Sequence, residues 1–251
     1  MNNYKLALLT LVSISLFSCD VINQQANQLV NSNSSIGNNE PNKPSLSNQE
    51  VISGLKEALS VGIKNSVNIT SVTDGFLKNQ SIRLPFPSDA QKVKDKAIEF
   101  GLSNKVDEFE TTLNRAAEEA AKEALPIFTE AIKNMTVQDG FAILNGGDGA
   151  ATKFLKEQTS SKLTEAFLTK VKQVTSRVKL TEKWNPIITK YNQATMLTGG
   201  DKINPDLDAY VTEKAIKGLF YMVEKEENKI RKDPIARVTD LLQKVFGNLS
   251  N

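Results

Sequence analysis

The chain has 251 residues, 39% hydrophobic and 24% charged, and its 31 Lys and Arg against 29 Asp and Glu leave a net charge of +2. Histidine is absent and the one cysteine, Cys19, stands near the N-terminus. The rest of the chain therefore holds no Ser-His-Asp triad, no Cys-His dyad and no His- or Cys-based zinc site, and the even charge balance gives no basic face for nucleic acid. What remains open is carboxylate, lysine, tyrosine or hydroxyl chemistry, and oxygen ligation of hard cations.

The chain begins with the tripartite pattern of an exported protein. Lys5 gives a positive start and residues 6–17 form an apolar run. That run is too short to cross a hydrocarbon core of ~30 Å, which takes ~20 helical residues. Leu16-Phe17-Ser18-Cys19 resembles a lipobox, with Phe17 bulkier than the residue usual there. The expectation is a lipoprotein signal peptide over 1–18, cleavage before Cys19, and acylation of Cys19 as the attachment to a lipid bilayer. Residues 19–46, dominated by Asn, Gln and Ser and broken by Pro41 and Pro44, read as a flexible tether, because they offer too little apolar surface to offset the entropy of ordering. This places the protein in the cell envelope, on the periplasmic side of an inner or outer membrane whose identity Asp20 does not decide.

From residue 47 to 250 the pattern is helical throughout. Ser47-Asn48-Gln49-Glu50 is a capping-box sequence followed by Val51, Leu55, Ala58 and Leu59 at helical spacing. Ser88–Gln91 suggests a second cap and Gly101 a stop. Residues 106–135 form the longest periodic stretch, rich in alanine, which Pro126 is expected to kink or divide. Thr136–Asp139 starts another helix that ends at Asn145-Gly146-Gly147, and Asp148 is placed to cap the next. Residues 162–178 and 182–193 follow, the latter with Trp184 and Tyr191 on one side. A loop over 195–204 precedes Pro205, read as the first residue of a long helix to about residue 232, and Asp233-Pro234 opens a last helix closing at Phe246-Gly247. No stretch alternates with a period of two. The predicted fold is all-α, a single domain of about 8–10 helices.

The segments Ser71–Phe76, Leu113–Glu118, Ile143–Asp148, Gly218–Tyr221 and Ile230–Pro234 carry a resemblance. Together, in this order, they resemble the bacterial envelope family known as domain of unknown function 4197, over nearly all of 46–248. The resemblance implies an exported, often lipidated, helical protein, and it implies no catalytic residue, cofactor or substrate.

The sequence offers several candidate sites. Gly146, Gly147 and Asp148 lie in a glycine-rich turn before a helix N-terminus, a geometry able to hold an anion, although a plain interhelical turn explains the same residues. Arg115, Arg231 and Arg237 are candidates for an anion or carboxylate clamp, but Glu118, Glu119, Asp233 and Asp240 stand at helical spacing to pair with them. The loop with Asp201, Asp206 and Asp208 does not match a calcium-binding spacing, and no metal or cofactor is expected. Glu224–Glu227 reads as a solvated face, and Leu84-Pro85-Phe86-Pro87 as a rigid apolar connection over the core. The expected function is a non-catalytic helical module that binds an envelope protein or a small amphipathic ligand. The alternatives are a carboxylate-dependent envelope hydrolase and a lipid-handling protein with a cavity between helices.

Overall fold

The computed structural model describes residues 47–233 together with Ile235 and Gln243. The expected signal peptide and tether, Cys19, Arg237 and, save for those two residues, the helix expected after Pro234 lie outside the described residues. Residues 46–251 form one unit, apart from residues 1–45. Within that unit the described residues form eight α-helices and a 3-10 turn, with no strand.

Helix α1 (Asn48–Thr70) starts where the sequence places it. The Ser47 hydroxyl accepts the Glu50 N–H, and the Ser47 N–H donates to the Glu50 carboxylate at 2.8 Å, closing the capping box. Its inward face runs Ile52, Leu55, Ala58, Leu59, Ile63 and Val67. After an irregular stretch, a 3-10 turn (Ser88–Ala90) leads into α2 (Gln91–Glu99). Asp89 makes no cap there; it accepts the Asn204 N–H instead. Gly101, at a φ of 75°, ends α2.

The long alanine-rich stretch is two helices, α3 (Ser103–Ala121) and α4 (Ala124–Asn134). The break falls at Lys122-Glu123, ahead of Pro126. Pro126 is the third residue of α4, within the first turn, where its missing N–H has no intrahelical partner to lose. Ala116, Ala117, Ala120 and Ala121 are wholly buried, and their small side chains let α3 lie close to its neighbours. Helix α5 (Val137–Asn145) opens on a second capping box, formed by Thr136 and Asp139.

Helix α6 (Ala150–Arg177) begins a dozen residues earlier than the periodicity suggests, because Thr152 and Thr159 sit among its buried positions and mask the apolar stripe. Two residues, Val178 and Lys179, separate it from the start of α7 (Leu180–Thr198). Helix α8 (Leu207–Lys232) is capped by Asp206, which accepts the Ala209 N–H at 2.9 Å. Pro205 therefore precedes the cap and is not the first helical residue. The neighbouring Asp208 accepts the Thr175 hydroxyl at 2.7 Å, so these loop carboxylates serve capping and packing.

Helices α6 and α8 run through the centre of the domain, with α1 and α3 packed beside α8 and α3 also against α6. Helices α4 and α5 fill between α1 and α6, α2 lies on α3, and α7 lies along α6. The Leu84–Pro87 connection seats Leu84 and Phe86 in the core, as expected. Among the described phenylalanines Phe100 is the exposed one, at 75%.

Candidate functional site

Among the described residues, Arg115 and Arg231 stand at two separate junctions, each of which fastens parts of the fold together. At the first, the loop after α1 turns through Asp74, at a φ of 69°. The Arg115 guanidinium reaches from α3 to donate to Asp74 and to Glu118, each at 2.6 Å. The other Glu118 oxygen accepts the backbone N–H groups of Phe76 and Leu77 at 3.1 and 3.2 Å. Lys78, then Arg115, holds the Asp74 carboxyl below its ordinary range. Arg115 is therefore a clasp on a loop, with both its partners supplied by the chain itself.

At the second junction lies the anion site foreseen at the helix following Gly146-Gly147, and it is already filled. The carboxylate of Glu227, from α8, accepts the Ala151 N–H at 3.0 Å and the Thr152 N–H at 2.9 Å, capping the N-terminus of α6. Thr152 adds its hydroxyl at 2.7 Å. Arg231 donates through Nε to Glu227 at 3.0 Å and through its terminal nitrogen to the Ile143 carbonyl at 2.8 Å, at the end of α5. Gly146 ends α5, Gly147 turns with a φ of 74°, and Gly149, at 76°, occupies the N-cap position expected of Asp148. Asp148 pairs with Lys232 instead. The reading of Glu224–Glu227 as a solvated face fails at Glu226 and Glu227, each 8% exposed. A four-residue charged run gave no warning, because the α6 amides that Glu227 caps lie 75 residues away or more.

A third buried carboxylate, Glu110, is shared between Arg83 at 2.8 Å and Lys94 at 2.7 Å. Beside it, the Asn114 amide clamps the Leu84 backbone at both N–H and C=O. Among the described residues no three carboxylates gather as a metal site would require. The apolar crevice under Glu227 and Arg231 has a volume of only about 20 Å³, about one water molecule.

A wide, open recess of about 580 Å³ lies beside Glu110, lined by Arg83, Lys94 and Asp107. A second recess large enough for a ligand lies between the first halves of α3 and α7, with a volume of about 330 Å³. Lys105, Glu108, Phe109 and Thr112 line it from α3; Leu180, Lys183, Trp184 and Ile187 line it from α7. Val178, 46% exposed, and Ile187, 52% exposed, give it apolar edges. Its floor is an aromatic cluster: the Phe109 and Trp184 ring centroids lie 5.0 Å apart, and Phe86 backs them at 4.7 and 5.7 Å. The Trp184 indole N–H is buried and has no acceptor among the described residues. On the rim Lys105 pairs with Glu108 at 2.7 Å, and Lys105 first, then Lys183 across the groove, pulls the Glu108 carboxyl below its ordinary value.

None of these groove residues is among the sequence candidates. The available signal was Leu180, Trp184 and Ile187 at four- and three-residue spacing beside Lys183, a stripe that the sequence alone assigns to core.

An all-α module, with its charges spent on joining helices, is the class of protein that this architecture defines. The family model for a protein of unknown function (DUF4197) matches residues 45–247, and the chain belongs to that family. No curated protein and no solved structure matches it.

Proposed function

We propose that the protein is a lipid-anchored envelope module that binds a partner or ligand without transforming it, through the groove between α3 and α7. One observation carries this reading. The buried carboxylates that hydrolysis would need are engaged: both oxygens of Glu110, Glu118 and Glu227 accept hydrogen bonds within the fold, and Glu226 accepts the Asn65 amide at 3.1 Å. The groove between α3 and α7 has an aromatic floor with a thin charged rim, the composition of a binding recess, whereas the wider recess beside Glu110 is lined mainly by polar and charged side chains. The lipobox sequence ending at Cys19 supports anchorage, since two or more acyl chains hold a protein durably at a bilayer.

The two halves of this reading are tested separately. Cell fractionation should find the wild-type protein in the membrane pellet and the Cys19→Ala variant in the soluble fraction; equal partition of both would end the anchoring proposal. A photoreactive residue installed at Ile187 in cells should form a specific adduct that the same residue at exposed Lys156 does not. Matching patterns from both positions would remove the groove from consideration.

A further inference from the structure

We infer that the groove takes a small amphiphile, its apolar chain laid on Phe109, Trp184 and Ile187 and its single anionic head, a carboxylate or phosphate, received between Lys183 and Lys105. The inference rests on the binding reading above and gives it a ligand class. Three observations carry it.

The first is size. A volume of about 330 Å³ lies at the lower end of small-molecule sites, and the lining spans about two turns of each helix, with Phe109 its apolar residue on α3. A partner helix, which anchors at successive i, i+4 and i+7 positions, requires a longer trough.

The second is charge. Lys105 is already engaged with Glu108, and Lys183 adds a second cation opposite, so the rim holds one positive charge more than negative. A cationic head would be repelled, and a multiply charged polar ligand would strand charge over the aromatic floor.

The third is that one of the two non-glycine residues at positive φ and one of the three unpartnered buried polar atoms among the described residues fall at the groove. Lys179, at the junction whose flanking residues Val178 and Leu180 form one wall, is held at a φ of 55°. Trp184, in the floor, has a buried N–H without an acceptor. Strain and unsatisfied polarity of this kind gather at sites kept for a ligand.

Trp184 is the single tryptophan of the chain, so its emission reports from the groove alone. The experiment uses the full chain carrying Cys19→Ala, prepared without detergent, and titrates it at pH 7.5 with sodium decanoate below its micelle-forming concentration. Decyltrimethylammonium and acetate serve as the opposite-head and head-only probes. Decanoate should shift the emission saturably and acetate should not. Decanoate should also bind at least about fivefold more tightly than the cationic amphiphile, the size expected for about 1 kcal/mol at an exposed charge. Lys183→Glu should weaken decanoate by a similar factor and favour the cationic probe, whereas Lys156→Glu on a remote face should change neither. Ile187→Asp, at an exposed position that the fold does not depend on, should weaken both amphiphiles.

Equal response to both heads, or insensitivity to Lys183→Glu, overturns the anionic-head assignment. Silence toward both amphiphiles overturns the amphiphile altogether. In that case a protein adduct from position 187 would leave the binding module standing with a protein partner, and the absence of any adduct would end that reading too.

Discussion

Lys179 sits at a φ of 55°, where an L side chain crowds the following carbonyl. Nothing in the sequence marks this, because lysine has no preference for the left-handed region; the turn is imposed by α6 and α7 packing on either side. Lys179→Gly should raise the stability of the domain by about 0.5–1 kcal/mol, read from the denaturant midpoint, because the strain relieved exceeds the added freedom of the unfolded chain. Gly218 shows the converse. A Cβ there would stand 2.7 Å from Phe76 Cε1 and 3.1 Å from Ile82 Cβ, and Phe76 is wholly buried with its N–H held by Glu118. Phe76 has little room to yield, so Gly218→Ala should cost about 1–3 kcal/mol, measured the same way. The sequence showed Gly218 only as part of a motif; the reason for it lies in a side chain 142 residues earlier.

Capping boxes made the helix starts at Asn48 and Val137 legible, since both halves of each lie within four residues. Other starts were misplaced where the cap comes from afar. Helix α6 carries no side-chain cap of its own, and its first amides are satisfied by Glu227 of α8. Removing that carboxylate strips the α6 N-terminus of its acceptor and takes away the carboxylate partner of Arg231, whose side chain is 12% exposed and also holds the Ile143 carbonyl. Glu227→Ala should destabilise the domain by about 3–5 kcal/mol, the cost of breaking a buried pair from one side. It should also speed amide exchange at Ala151 and Thr152 beyond the exchange at the capping-box start of α1. Glu227→Gln, which keeps the acceptor oxygen but not the charge, should lose less. Equal losses for the two variants would contradict the charge-assisted cap.

The all-α architecture was legible because it rests on many local periodicities that a few misplaced ends do not disturb. The groove was not, because it depends on how far α3 stands from α7, which no local pattern records. Long-range attachment also predicts an alkaline limit. Tyr210 on α8 donates its hydroxyl to the Pro85 carbonyl at 3.0 Å, and burial first, then the charges of Asp89, Glu110 and Glu213, pushes its pKa up to about 12. The raised value favours the neutral phenol in the folded state. Its contribution to stability is therefore complete below the unfolded value of 10.0 and is lost as pH rises toward about 12. Urea titrations at pH 9 and pH 11.5 should show a smaller fall for Tyr210→Phe than for the wild type.

The resemblance motifs meet in space. Ser71–Phe76 touches Leu113–Glu118 through Arg115 and Glu118 and Gly218–Tyr221 through Phe76, while Ile143–Asp148 meets Ile230–Pro234 through Arg231 and Lys232. Each of these segments is a fastening of the scaffold. The groove residues Lys105, Phe109, Lys183, Trp184 and Ile187 belong to none of them. The frame and the groove are thus built from separate residues. On the proposed reading, exchanging the groove residues should change what the protein holds while leaving every one of these fastenings in place.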